Sequence, residues 1–242
     1  MNFSTINESS LHKTLKIIYS ELYEGKTEVE SEGHVYDIVT KKGNIIEIQT
    51  KNLSKLRAKA EDAISKGHNV KIVHPNIIRR KIEVYDENNT LISRRLSPIK
   101  GCIFDVFKEL TGLYSILLNK HFSLEIIQIN MIEKRIRTSE NIQSKNKRRR
   151  FKKNWIKFDK ELTEIIKTFT FNNANDYLNL LPKTLPESFC AKDLGLTLKE
   201  DKEIPSRIYN NPHIIIWVLH KMELLEFVEI KNRSRYYKIK EL

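Results

Sequence analysis

The sequence predicts an α/β protein in which helices flank a mixed β-sheet and a smaller, mainly helical unit follows. Leu11, Leu15 and Ile18 recur at helical spacing, which predicts a first helix over residues 8–23. Strand-type runs and a second helix come next, giving the order α-β-β-β-α-β: 27–31, 34–40, 44–50, 53–66 and 69–74. Because a helix separates the last two strands, we expect them to be parallel and joined by a right-handed crossover.

A basic stretch divides the rest of the chain. A β-hairpin, a helix and a strand are expected to complete the first unit, over 81–97, 103–119 and 124–136. Lys and Arg residues then crowd into 145–153, which predicts either a mobile linker or a basic arm. The expected division is a first domain, a basic segment and a second domain over 1–140, 141–158 and 159–242. The side chains expected to track phosphates in an arm are Arg148, Arg149 and Arg150.

Composition limits the class of protein. The 242 residues carry a formal net charge of +12 and a sequence pI near 9.5, which favours a polyanionic partner such as nucleic acid. Hydrophobic residues make up 40% of the chain, enough for a packed core. An apolar run of about 18 residues is lacking, so we expect no membrane-spanning helix. The polar N-terminus and the lack of a Cys-x-x-Cys pair predict a reduced, cytoplasmic protein without a zinc ribbon.

Two carboxylates fall on neighbouring predicted strands. Asp37 lies on the second strand, and Glu47 shares one face of the third with Gln49 and Lys51, since strand side chains alternate between faces. In a hairpin, Asp37 and Glu47 approach each other, and two such carboxylates repel unless a cation lies between them. Oxygen ligands of this kind suit Mg²⁺ or Mn²⁺, which activates water and stabilises charge on a scissile phosphate. Gln49 or Lys51 would orient the water or the phosphate.

The first helix adds polar groups to this region. Glu8, His12 and Lys16 recur every four residues, as a polar stripe beside the apolar one. We expect Glu8 to supply a third, more distant carboxylate. Lys16 is expected to contact the backbone of a nucleic acid.

This arrangement resembles the PD-(D/E)xK nuclease superfamily. The resemblance is carried by the element order, by Asp37 on the second strand and by Glu47-x-Gln49 on the third, with Gln in place of the usual Lys. Lys51 is the expected substitute for that Lys. Tyr36 stands where the name of the motif has proline. The resemblance implies a restriction-endonuclease-like fold, with Asp37 and Glu47 as ligands of Mg²⁺.

The C-terminal unit resembles a winged helix-turn-helix domain. The resemblance is carried by predicted helices and by two terminal strands, at 159–170, 174–181, 188–194, 211–223, 225–231 and 234–240. One helix of such a domain enters the major groove, and its hairpin contacts the DNA backbone. The implied base contacts come from Arg207, Asn210, Asn211 and His213, and the implied phosphate contacts from Lys231, Arg233 and Arg235. The alternative use of this fold is protein contact or dimerisation.

Together these features predict a restriction-type, Mg²⁺-dependent endonuclease that acts on double-stranded DNA. A homodimer is expected, because cutting both strands generally needs two active sites. Two alternatives stay open. In one, Gln49 marks a decayed site and the protein is a catalytically inactive DNA-binding regulator. In the other, the same fold serves a repair, junction-resolving or RNA-directed nuclease.

Overall fold

The computed structural model describes residues 9–143 and 150–241. Within these residues a seven-stranded mixed sheet is flanked by helices, and a three-stranded sheet lies near the C-terminus. The α-helices are α1 (Ser10–Leu22), α2 (Arg57–Ser65), α3 (Phe107–Leu110), α4 (Ala174–Leu178), α5 (Ala191–Glu200), α6 (Ser206–Tyr209) and α7 (His213–Lys221). The strands are β1 (Gly25–Ser31), β2 (His34–Thr40), β3 (Ile45–Ile48), β4 (Val70–Tyr85), β5 (Leu91–Leu96), β6 (Phe122–Ile142), β7 (Lys153–Phe171), β8 (Ser188–Phe189), β9 (Leu225–Lys231) and β10 (Ser234–Ile239).

The large sheet has the strand order β1-β2-β3-β4-β6-β7, and β5 pairs with the far half of β4. Strands β1, β2 and β3 form an antiparallel meander, and β3 pairs in parallel with β4 after the helical crossover through α2. The predicted order α-β-β-β-α-β and the predicted parallel pair are therefore confirmed. Strand β4 is also parallel to β6, which pairs antiparallel with β7.

Helix α1 is confirmed, and it begins at Ser10, two residues after the predicted start. The side chain of Ser9 accepts a hydrogen bond from the backbone N–H of His12, which satisfies a donor that the first helical turn leaves open. The apolar stripe of the helix, represented by Leu11 and Leu15, is fully buried against Ile46 and its neighbours on one face of the sheet. The opposite face of the sheet is covered by α2, α3 and the C-terminal helices.

The sequence-based prediction is wrong for the second half of the sheet. Strand β4 continues through Pro75, where we expect it to end, because the proline pairs with Ile127 in the ladder to β6. The helix expected over 159–170 is instead part of β7, and the helix expected over 103–119 is helical only as a short 3-10 turn and α3. In both long strands, non-local pairing overrides the local spacing of apolar residues.

The expected linker over 141–158 includes strand residues at both ends. Strand β6 extends to Ile142 and β7 starts at Lys153, so the described part of this segment pairs as a two-stranded ribbon rather than joining two domains. The domain boundary expected after residue 158 falls inside β7. The centre of the basic stretch, on which the choice between a linker and an arm depends, lies outside the described residues.

The C-terminal residues form helices and a small sheet in the order β8-α5-α6-α7-β9-β10, with the strand order β8-β10-β9. The two terminal strands are confirmed. This unit packs on the large sheet through one continuous hydrophobic core. Arg207 Nη2 lies 2.5 Å from Asp105 Oδ2, and the Trp217 ring meets the Tyr114 ring edge-on at a centroid distance of 5.6 Å. Among the described helices, none is long and apolar enough to cross a membrane.

Candidate active site

Asp37 and Glu47 lie where β2 and β3 part. The ladder between these strands ends at Ile38 and Ile46, one residue before the carboxylates. Beyond that point side chains replace backbone acceptors. Asp37 Oδ2 accepts a hydrogen bond from the N–H of Ile48 at 2.8 Å, and Glu47 Oε1 accepts one from the N–H of Asp37 at 3.3 Å. This point, called the fork below, therefore fixes both carboxylates to the backbone of the two strands, near enough for the charge of Asp37 to act on Glu47.

Helix α1 brings two cationic or neutral donors to Asp37. His12 Nε2 lies 3.6 Å from Asp37 Oδ2 and 2.6 Å from the carbonyl oxygen of Ile48, to which its N–H donates. Lys16 Nζ lies 3.9 Å from Asp37 Oδ1 and also pairs with Glu28. Lys16, which we expected on the nucleic-acid backbone, is thus held mainly by carboxylates of the protein itself.

Helix α2 brings a third group, Lys59, to Glu47. Lys59 Nζ lies 2.5 Å from Glu47 Oε1 and 2.5 Å from the carbonyl oxygen of Val35. Its ammonium group also lies 4.8 Å from the centre of the Tyr36 ring. The lysine next to the carboxylate pair therefore comes from a helix, and the sequence analysis missed it.

Asp37 and Glu47 differ in their affinity for a proton. Burial raises the pKa of Asp37, but hydrogen bonds from His12 and from the Ile48 N–H outweigh burial and leave the pKa below its usual value. Burial and the nearby Asp37 charge raise the pKa of Glu47 to about 6, against the pull of Lys59. At neutral pH both groups carry negative charge, and the side chain of Glu47 is only 7% exposed. A divalent cation would relieve this repulsion.

The other predicted site residues are less close to the pair. The side-chain amide of Gln49 donates to the backbone carbonyl oxygen of Asn52 at 3.4 Å. The backbone carbonyl oxygen of Gln49 accepts from His74 Nδ1 at 2.6 Å. Lys51 is exposed, and its charge lowers the pKa of Lys160 on β7. The structure thus brings together Asp37 and Glu47 but turns Gln49 toward a loop. Glu8 lies outside the described residues.

The oxygen atoms at the fork fit Mg²⁺. No group of three or more His, Cys, Asp and Glu side chains stands ready for a metal within 9–143 and 150–241. Mg²⁺ needs fewer protein ligands than that, because it keeps several waters and is bound through one or two carboxylates together with substrate phosphates. Asp37, Glu47 and the Ile48 carbonyl oxygen would supply such a set.

Residues 9–172 match the protein family described as "Domain of unknown function (DUF8091)". The chain belongs to this family. It is also 32% identical, over 199 residues, to an uncharacterized protein of Treponema pallidum (strain Nichols), an alignment that covers 81% of this chain and 75% of that protein. No solved structure matches. The DUF8091 region runs from α1 through β7, so it includes the whole fork with its carboxylates and Lys59.

Beyond the DUF8091 region, the C-terminal unit has a groove of about 990 Å³ between α5, α7 and the β9–β10 hairpin. Seven basic side chains and no Asp or Glu are among its lining residues, all of which the structure describes: Lys192, Lys199, His213, His220, Lys221, Arg233 and Arg235. Asn210 also lines it. A groove lined in this way attracts polyanions.

The remaining predicted nucleic-acid contacts have different positions. Asn211 and Lys231 are exposed outside the groove lining. Arg207 is paired with Asp105, so its guanidinium links α6 to the 3-10 turn that precedes α3. Arg150 is exposed, with its guanidinium 5.2 Å from the centre of the Phe151 ring. Arg148 and Arg149 lie outside the described residues.

Proposed function

We propose that this chain is a Mg²⁺-dependent DNA endonuclease of the PD-(D/E)xK type. The observation that supports it most is the fork of β2 and β3, where the Ile48 N–H donates to Asp37, the Asp37 N–H donates to Glu47, and the charge of Asp37 raises the pKa of Glu47. The order of the surrounding elements, a meander followed by a helical crossover to a parallel strand, supports the restriction-endonuclease-like part of the proposal.

The roles of the chain's own residues follow from their contacts. Asp37, Glu47 and the Ile48 carbonyl oxygen would hold Mg²⁺, which when bound supplies an activated water and stabilises charge on the scissile phosphate. His12 donates to the Ile48 carbonyl oxygen and so fixes its direction. Lys59, rather than Lys51, supplies the positive charge beside Glu47 and would orient the water or the phosphate.

DNA binding is assigned to the C-terminal unit as a winged helix. Support comes from the order β8-α5-α6-α7-β9-β10 and from the basic groove between α7 and the hairpin. In this proposal Asn210 and His213 approach base edges, while Arg233 and Arg235 contact phosphates. The ribbon of β6 and β7 is a second candidate contact, because a two-stranded ribbon fits the major groove.

Plasmid cleavage tests the proposed activity. Purified full-length protein would be incubated with supercoiled plasmid, with Mg²⁺, with Mn²⁺ or with EDTA, beside the Asp37→Asn variant. We expect nicked or linear product only with a metal and only from the unchanged protein. Binding without cleavage under every metal condition would contradict the proposal and favour the inactive regulator. Cleavage of a structured RNA but not of plasmid would favour the RNA-directed alternative.

Sedimentation of the protein with a short duplex would show whether a homodimer forms on DNA.

Replacing Lys59 by Ala is expected to slow cleavage about tenfold to a hundredfold while leaving duplex binding unchanged. The reason is that Lys59 contacts Glu47 directly, and partners of metal ligands typically affect activity by this factor. Single-turnover cleavage rates, with duplex affinity measured in parallel, check the prediction. Lys55→Ala is the matched control, because Lys55 is an exposed lysine just before the same helix. Equal rates for the two variants would remove Lys59 from the mechanism.

Replacing Arg233 and Arg235 together by Gln is expected to weaken duplex binding and to lower the salt dependence of the affinity by about two in its log–log slope. Each arginine lines the basic groove, so each would release counterions from one phosphate contact. Fluorescence anisotropy at several salt concentrations gives both quantities. Lys42→Gln, an exposed lysine in the turn between β2 and β3, is the control. An unchanged slope in the double variant would show that the groove does not carry DNA.

A further inference from the structure

A buried carboxylate on β6 gathers an excess of positive charge. Glu133 is fully buried, and three cations contact it: Arg80 Nη1 at 3.1 Å, Arg135 Nη2 at 2.5 Å and Lys157 Nζ at 2.6 Å. Lys160 is its cross-strand partner on β7. One carboxylate is thus surrounded by four basic side chains, one from β4, one from β6 itself and two from β7.

The acidic neighbours on β7 do not balance this charge. Asp159 accepts hydrogen bonds from the backbone and the hydroxyl of Ser10, and Glu161 lies 2.5 Å from Lys134. In the described part of the chain, Lys160 has no carboxylate within salt-bridge distance of its Nζ. Burial and the charges of Lys51 and Lys157 hold the pKa of Lys160 below its usual value. Nearby like charges of this kind favour an anion as ligand.

This basic cluster adjoins the fork. It lies on the face of the sheet that α1 covers, because Met131 and Ile129 of the same β6 face pack against that helix. Ser10 in the first turn of α1 is bonded to Asp159, the residue before Lys160, and His12 in the same turn contacts the fork. Lys51, whose charge reaches Lys160, follows β3 shortly after the fork.

The cluster also contains an open donor. Arg80 Nε is buried and makes no hydrogen bond, while its Nη1 is held by Glu133. A buried donor without a partner is uncommon in folded proteins, and this one is available to an additional ligand. Glu133 fixes the cations in place, so an incoming anion would find them already ordered.

We propose that Lys160, Lys51, Lys157 and Arg80 form a second phosphate site, which holds the backbone of the bound nucleic acid beside the scissile phosphate. This inference rests on the proposed nuclease function, because the second phosphate would belong to the same nucleic-acid strand as the scissile phosphate. The site positions the substrate and takes no part in bond cleavage. It therefore acts on affinity and on KM, while kcat depends on the fork.

The test compares full-length Lys160→Gln and the double Lys51→Gln, Lys160→Gln variant with the unchanged protein. Duplex affinity is measured by anisotropy in Ca²⁺, so that binding is read without cleavage. We expect a salt slope lower by about one for the single variant and by about two for the double variant. In cleavage assays Lys160→Gln should raise KM about tenfold with kcat unchanged. Lys167→Gln, an exposed lysine on the same strand, is the control.

The outcomes separate this site from the proposed activity. A protein that binds duplex with a Lys160-dependent slope but never cleaves it would refute the nuclease proposal and keep the phosphate site. Unchanged affinity and slope in both variants, with melting temperatures like that of the unchanged protein, would refute the site. Inorganic phosphate would be titrated as a second probe. Thermal stabilisation by phosphate that Lys160→Gln abolishes, together with unchanged duplex affinity, would overturn the assignment to a nucleic-acid backbone.

Discussion

Replacing Asp37 by Asn is expected to lower the rate of Mg²⁺-dependent DNA cleavage by at least about a hundredfold, since even partners of metal ligands affect activity by up to that factor. The amide keeps the size of the side chain and can still accept the hydrogen bond from the Ile48 N–H. It loses the negative charge, which the pKa of Asp37 shows to be stabilised in the folded chain. Because the amide keeps the size and the hydrogen bond, the loss of rate reports on charge at the fork, and the melting temperature of the variant checks that the fold is kept.

A carboxylate away from the fork supplies the control for this prediction. Asp62 on α2 pairs with Lys66 and with His34 at the surface, where ion pairs contribute little to stability. Asp62→Asn should cleave at the unchanged rate. If single-turnover measurements gave the two variants equal rates, Asp37 would not be part of the reaction. The melting temperatures of both variants should stay within a few degrees of the unchanged protein.

Replacing Glu133 by Gln is expected to destabilise the fold by about 3–5 kcal/mol, the loss typical of removing one partner from a buried ion pair. The neutral amide would leave Arg80, Arg135 and Lys157 without the carboxylate that all three contact. Urea unfolding of both proteins at neutral pH measures the difference. Glu140→Gln, an exposed carboxylate on the same strand, should change the free energy of unfolding by less than about 0.5 kcal/mol.

The same pair of proteins gives a pH dependence with a definite sign. Burial opposes ionisation of Glu133, but the ion pairs with Lys157 and Arg135 outweigh it and lower its pKa from 4.5 to about 2. A lowered carboxyl pKa contributes stability that is present above the unfolded pKa and is lost as the pH falls through the folded one. The difference in free energy of unfolding between the unchanged protein and Glu133→Gln should therefore become smaller as the pH falls from about 4.5 to about 2. A constant difference over that range would show that the charge of Glu133 is not what stabilises the ribbon.

The meander and the approach of Asp37 to Glu47 could be predicted because both depend on local pattern. Strands β2 and β3 are short, and a tight turn joins each to the strand before it. Alternation of side chains then decides which residues share a face. Between β1 and β2, Glu32 and Gly33 take φ values of 54° and 84°, as the tight turn of such a hairpin requires. What the pattern did not reveal is the end of the ladder at Ile38, which turns both carboxylates into acceptors for backbone N–H groups.

Lys59 and β7 could not be predicted for a different reason. Ala60 and Ala63 pack α2 against the sheet, and this packing brings the side chain of Lys59 to Glu47. Local spacing in the sequence does not reveal this contact between a helix and a strand. In β7, Leu162 and Ile165 fit a helical repeat as well as a strand, and pairing with β6 decides the outcome. Both errors concern interactions between residues that are distant in the sequence.

The measurement that tests the central claim most directly is Mn²⁺ binding followed by electron paramagnetic resonance, with a short duplex present at a temperature where cleavage is slow. The claim is that Asp37, Glu47 and the Ile48 carbonyl oxygen hold a divalent cation. We predict that the unchanged protein binds Mn²⁺ at a site that Mg²⁺ competes for, and that Asp37→Asn and Glu47→Gln each weaken it severely. Mn²⁺ binding that neither variant alters, or no binding by the unchanged protein with duplex present, would contradict the account.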